Sequence, residues 1–175
     1  MTAQHWKDIL LDGFSRVAEA VPLVVDGLDE DQLAWFPAED ANSIAWLVWH
    51  LARVEDDHMT GIVGGEQVWT AGGWADRFAV PFDVADIGFG QSTEQAHSVR
   101  APADLLTGYY AAVHERTATI LEAMDDTELD RVVDERWDPP VTAAVRLVSV
   151  LNDTTQHIGQ ASYVRGLLGA PPIIG

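Results

Sequence analysis

The sequence contains no cysteine, a single lysine (Lys7), and no apolar run long enough to cross a bilayer. The first absence excludes disulfides, thiolate-ligated zinc and a protein thiol nucleophile, so any chemistry must use His, carboxylates, hydroxyls or a bound cofactor. The second removes the cationic surface that a nucleic acid or an anionic membrane requires: nine dispersed arginines and Lys7 stand against 28 Asp and Glu, for a formal charge of −18. No nucleic-acid partner is expected. The longest relevant apolar run, Ile44 to Trp49, is far shorter than the ~20 residues of a membrane span. The N-terminus carries Asp8 and Asp12 within its apolar pattern and has no basic leader region, so the expected location is the cytoplasm. Walker and Gly-x-Gly-x-x-Gly loops are missing too, since GGW at 72–74 and GFG at 88–90 lack the residues that should follow, and no Gly-x-Ser-x-Gly elbow exists.

What is present is enough apolar material, 47% of 175 residues, to bury a core and fold as a single domain over 1–175. Ile9, Leu10, Phe14, Val17, Val21, Val24 and Leu28 recur at three- and four-residue steps and predict a first helix from Trp6 to Leu28. Asn42 or Ser43 can cap a second, from Ile44 to about Gly61, with Ile44, Leu47, Val48, Leu51 and Val54 as its buried stripe. Residues 62 to about 100 hold six glycines, Pro81, two tryptophans and three phenylalanines without sustained period; they read as a long connection with one helical turn near Trp74 to Phe78. Pro102 suits the start of a third helix, Ala103 to Met124, and a fourth runs from about Thr142 to Leu168. With no alternating strand pattern, the expected class is all-α: a four-helix bundle with a long crossover between helices 2 and 3.

On the fourth helix the inward stripe reads Leu147, Val150, Asp153, His157, Ala161 and Val164, which predicts that Asp153 and His157, four apart on one face, point at the core. On the second helix His50 interrupts the stripe of Leu47 and Val54. Two imidazoles and a carboxylate meeting across two helices would leave open coordination positions, the mark of a catalytic metal. A lone histidine on an apolar face is, however, commonly a hydrogen-bonded core residue, and a metal-free Asp153 pair with His50 or His157 satisfies the same pattern. Rival steps Glu55/His58 and Glu94/His97 have the Glu-x-x-His spacing of di-iron bundles, but the first lies in the polar run EDDH and the second in the connection, so both are expected on solvated faces. His114 is placed to reach the core edge or to stay exposed. Trp69, Trp74, Phe78, Phe82 and Phe89 read as packing of the long connection, or as a lid over an apolar substrate pocket.

Four segments carry a resemblance: ANSIAWLVWHLARVEDD, GWADRFAVPFD, ERWDPPVT and LNDTTQHIGQASYVRGLL. In this order they resemble the DinB-like, or YfiT-like, superfamily of four-helix-bundle metalloproteins, and within it the actinobacterial branch of mycothiol-dependent transferases. The resemblance implies a divalent metal held by His50, Asp153 and His157. Many DinB-like proteins have histidine where Asp153 stands, whereas the mycothiol-dependent maleylpyruvate isomerases are similar in using a carboxylate there. Those isomerases carry a further C-terminal domain and this sequence ends at Gly175, so isomerase activity is not the expected one.

The implied function is transfer of a low-molecular-weight thiol, by resemblance mycothiol, to a hydrophobic electrophile in detoxification or stress. The same bundle holding metal or ligand without turnover, and a metal-dependent hydrolase or isomerase, are the alternatives. Zinc suits two imidazoles, a carboxylate and an open position, with nickel, iron and manganese also compatible. Arg77, Arg146 and Arg165 are candidates for contacting the thiol, and a homodimer is common in the resembled superfamily.

Overall fold

A computed structural model describes residues 5–171 and residue 173; the outermost ends of the expected 1–175 domain, and the first residues of the stretch read for a leader, lie outside them. Four long helices form the molecule: α1 (His5–Val25), α3 (Ile44–Val63), α7 (Ala103–Ala123) and α8 (Ala143–Leu167). Short helices α2 (Glu30–Leu33), α4 (Val68–Ala71), α5 (Trp74–Phe78) and α6 (Thr93–His97) sit in the connections. The chain is all-α apart from a small hairpin, β1 (Val132–Asp134) and β2 (Val141–Thr142), whose antiparallel register pairs Val132 with Thr142 and Asp134 with Val141. That hairpin departs from the expectation of no strands.

The long helices begin where local chemistry lets them. Ser43 accepts the Trp46 N–H and caps α3, and Thr142 accepts the Val145 N–H and caps α8. Pro102 supplies the preset φ just before α7. Helix α1 stops three residues short of the expected Leu28, ahead of Gly27 in the left-handed conformation.

In cross-section α1 and α3 lie on a diagonal, each packed against both α7 and α8, and α3 against α8 is the most extensive contact. One core cluster, with Trp46, Trp49, Leu51, Tyr109 and Val113, occupies the end that the crossover covers. A second, around Phe14, Met59, Leu121 and Leu147, fills the other end. Each such side chain taken from water contributes roughly 1.5–3 kcal/mol. Because the crossover closes the remaining side of α3, sixteen of its twenty residues are buried. No described helix is long and apolar enough to cross a membrane.

Candidate metal centre

The α3–α8 seam brings His50, Asp153 and His157 together: one ligand atom from each lies within 4.8 Å of the others, the only such group of three among the described residues. The His50 and His157 rings meet edge to face with centroids 4.7 Å apart, and His157 Nε2 is 3.6 Å from Asp153 Oδ1. Their depth corrects the expectation that Asp153 and His157 point into the core. His50 is buried, but the other two sit at the seam's mouth, with side chains 34% (Asp153) and 18% (His157) exposed. The turn of α8 carrying them lies at the rim of the bundle, so the seam opens to solvent on that side.

Both imidazoles are held by their far nitrogens. His50 Nδ1–H donates to the Ile87 carbonyl, and His157 Nδ1–H donates to Gln160 Oε1 at 2.7 Å, which leaves Nε2 of each as a lone-pair donor. Burial pushes the His50 pKa down, favouring the neutral ring that a metal needs, while its bond to Ile87 opposes that shift. Asp153 Oδ2 is buried and has no hydrogen-bond partner. An orphaned carboxylate oxygen beside two imidazoles with free Nε2 atoms fits a divalent ion. Tetrahedral zinc would need ligand atoms about 3.4 Å apart, a modest closing of the present spacing.

The residues that brace His50 come from its own helix and from the long crossover, and those of the crossover carried no sequence signal. Trp46 stacks on the His50 ring at 4.4 Å and donates its indole N–H to Gln91; Gln91 in turn donates to Asp86. Gly88, at φ +96°, brings the loop backbone so close that a Cβ there would lie 2.5 Å from His50 Nδ1, which is why GFG occurs at this point. The fully buried Arg53 donates to the Asp86 carbonyl and to Gln67, and faces Asp56 at 3.7 Å. Asp56 accepts the N–H groups of Val68 and Trp69 at the start of the crossover. The i, i+3 spacing of His50 and Arg53, with Asp56 three further on, was the available clue.

Other expected candidates fall elsewhere. Glu55 is not on a solvated face: it is fully buried against α7, accepting the Tyr110 hydroxyl at 3.0 Å. His58 is half-buried at the edge of the bundle, beside Asp57 and Arg146. Glu94 is exposed and His97 stacks on Phe36, so no di-iron centre assembles among the described residues. His114 is half-buried and stacks on Tyr110.

Trp69, Trp74 and Phe78 pack around Tyr109, and Phe82 against Trp49, as structural filling of the crossover; Phe89 alone is exposed. The three candidate arginines are engaged away from the cluster. Arg77 lies over Trp74, Arg146 pairs with Asp134, and Arg165 ties Val24, Asp26 and Pro171 together.

Two recesses are lined by residues that contact the cluster's histidines, though not by the three cluster residues themselves. One, about 660 Å³, lies between the segment before α3 and the outer face of α8, and is lined by Leu47, Gln156 and Gln160 among others. The second, about 170 Å³, is lined by Trp46 and Gly88 and shares Asp40, Ala41 and Asn42 with the first.

Comparison with known proteins places this geometry. No curated protein matches the sequence. Among solved structures, a conserved protein from Enterococcus faecalis is 30% identical and superposes with a TM-score of 0.87 over 93% of this chain and 96% of that one. The sequence profile of the family described as mycothiol-S-transferase matches residues 10–170. With that match taking in most of α1, all of the other three long helices and the whole His50–Asp153–His157 cluster, the chain belongs to the mycothiol-S-transferase family of DinB-like proteins.

Proposed function

We propose that the chain is a metal-dependent thiol transferase in which His50, Asp153 and His157 hold a divalent ion, zinc fitting the donor set best, and in which a small thiol is joined to a hydrophobic electrophile. The observation that carries the reading is the donor arrangement: two imidazoles fixed through Nδ1 with Nε2 free, beside a carboxylate oxygen that no protein group satisfies. A metal there would supply Lewis acidity, lowering the pKa of a thiol so that its sulfur is nucleophilic near neutral pH. This chain needs such help because it has no cysteine of its own.

The protein's own groups do the rest. Ile87 and Gln160 fix the imidazole tautomers, Trp46 covers one face of His50 and keeps water from it, and Asp153 provides the one negative charge of the cluster. The larger recess, which Gln160 links to His157, has the volume of a small-molecule site. In the reaction the sulfur–carbon bond would form as the bond from that carbon to the leaving group breaks, the leaving group taking the electron pair and the S–H proton passing to it or to solvent.

The test is elemental analysis of the purified protein alongside a conjugation assay with a thiol and a panel of electrophiles. The expected result is about one metal per chain, and conjugation lost with chelator and in Asp153→Ala. Full metal content in both His50→Ala and His157→Ala would overturn the site. Turnover of an ester or amide without added thiol would replace transfer by hydrolysis.

A further inference from the structure

Of the five Trp and Phe side chains in the crossover, four are spent on packing and one is not. Trp69, Trp74 and Phe78 surround Tyr109, and Phe82 packs on Trp49. The Phe89 ring is 89% exposed, more than any other large apolar side chain among the described residues. An exposed ring at the end of a loose loop would carry little meaning, but this turn is firmly built.

Asp86 holds the turn at two points: Oδ1 accepts the Gly88 N–H at 2.8 Å and Oδ2 accepts the Gln91 side-chain amide at 3.1 Å. The Gln91 N–H returns to the Gly88 carbonyl at 3.4 Å, which makes residues 88–91 a β-turn with Phe89 at its second position. Gly90, at φ +75°, supplies the left-handed third residue that a type II turn requires. Both ends are anchored to α3, through Trp46 to Gln91 Oε1 at 2.8 Å and through Arg53 to the Asp86 carbonyl. The exposure of Phe89 is therefore a fixed feature of the backbone, bought with burial that the ring forgoes.

This turn forms one rim of the metal cluster. His50 gives Nδ1 to the crossover, at the Ile87 carbonyl, and its other side faces Asp153 and His157 on α8, so the 86–91 turn and the 153–157 turn of α8 flank the same ring. A Cβ on Gly88 would lie 2.5 Å from His50 Nδ1, which puts the Cα of Phe89 within roughly 8 Å of that nitrogen. Gly88, Gly90 and Gln91 line the smaller recess and Phe89 does not, so its ring is directed to solvent on the outer side of the turn. The α8 rim offers an apolar reactant nothing comparable: its exposed positions there are Asn152, Thr155, Gln156, Gly159 and Gln160.

We propose that Phe89 is a specificity-determining residue of the transfer, its ring stacking on the apolar body of the electrophile and holding the reacting carbon beside the open side of the cluster. The proposal rests on the thiol-transfer reading and adds to it a reason for preferring electrophiles with an aromatic body over small polar ones. Aromatic rings pair in offset or edge-to-face arrangements, and a phenyl with no protein neighbour is free to form either.

The test compares two electrophiles that both release chloride as the sulfur–carbon bond forms: 4-nitrobenzyl chloride, which has an aromatic body, and chloroacetamide, which has none. Metal-loaded wild type and variants are assayed with mycothiol as the thiol. Phe89→Ala should lower kcat/KM for the benzyl compound about tenfold, chiefly through KM, and leave chloroacetamide within about twofold. Phe89→Trp should restore most of the loss. Removing an exposed ring leaves no cavity, so metal content and Tm should not change. Alongside, the isotope-labelled protein is titrated with 4-nitrobenzyl alcohol, which has no halide to lose, while amide shifts are followed by NMR. Saturable shifts are expected at Gly88, Phe89 and Gly90, with binding about tenfold weaker in Phe89→Ala.

An equal fall for both electrophiles, no fall for either, or no saturable shift at the turn overturns the role of Phe89. Saturable binding at the turn of a metal-loaded protein that conjugates neither electrophile overturns the transfer reading instead.

Discussion

Glu55 shows how far one residue's surroundings can move its chemistry. Its carboxyl is wholly buried between α3 and α7, where the Tyr110 hydroxyl donates to Oε2 and Oε1 has no hydrogen bond. Burial pushes its pKa up to about 7 from the ordinary 4.5, against the pull of the neighbouring Thr117 and Tyr110 hydroxyls. A carboxyl that holds its proton more tightly in the folded state stabilises that state fully below about pH 4.5, and the contribution is lost as pH rises through about 7. The gap corresponds to about 3 kcal/mol. Glu55→Gln keeps the shape and cannot ionise, so urea unfolding should find it close to wild type at pH 4.5 and about 2–3 kcal/mol more stable at pH 8.5. An equal loss of stability at both pH values would mean that the carboxyl matters for its packing and hydrogen bond rather than for its charge.

Among the elements, α3 sets the site because it is enclosed by α7, α8 and the crossover. Its clamp is Arg53, which reaches Gln67, the Asp86 carbonyl, the Val84 carbonyl and Tyr109 and lies over the Trp69 ring, while Asp56 holds the amides of residues 68 and 69. Arg53 thus fixes the crossover strand whose next residue, Ile87, sets the His50 tautomer. Arg53→Met should cost roughly 3 kcal/mol or more, because Asp56 stays buried without its cation. It should also weaken metal binding about tenfold through the loosened Ile87 contact, read by chelator competition. Unchanged metal affinity with the stability loss would confine the clamp to folding.

The clamp also explains what could be read in advance. The four long helices were legible to within a few residues, because sustained apolar period and the caps at Ser43 and Thr142 leave few alternatives. The short α2, α4 and α6 and the hairpin were not, since two to five residues carry no period and their formation depends on what they pack against. His50, Asp153 and His157 were legible as polar interruptions of apolar stripes, but Gly88 and Ile87 were not, since their roles exist only once the crossover lies on α3, and Gln160, one turn past His157 on α8, reads as an ordinary exposed position. Glu55 misled because, in the polar run EDDH, Asp57 and His58 reach solvent while Glu55 and Asp56 face α7 and the crossover.

At the scale of the whole molecule, two terms of opposite character act on the fold. A formal charge of −18 stores self-repulsion that a dissolved salt screens, and the cluster offers a cross-link between residues about 100 apart in sequence, on the helix pair with the largest interface. An ion that binds only the assembled seam stabilises it by mass action, about 2.7 kcal/mol when present at a hundredfold excess over its dissociation constant. For a chain of this length that amounts to a rise in Tm of roughly 5–10 °C.

Sodium chloride should raise Tm gradually across hundreds of millimolar, in wild type and in Asp153→Ala alike, because screening acts on the entire surface. Micromolar zinc should add a saturable rise in wild type, reversed by chelator, that Asp153→Ala lacks while retaining the salt response. If zinc raised both proteins equally, it would be acting through the exposed carboxylates that an acidic surface offers everywhere, and the seam between α3 and α8 would not be its site.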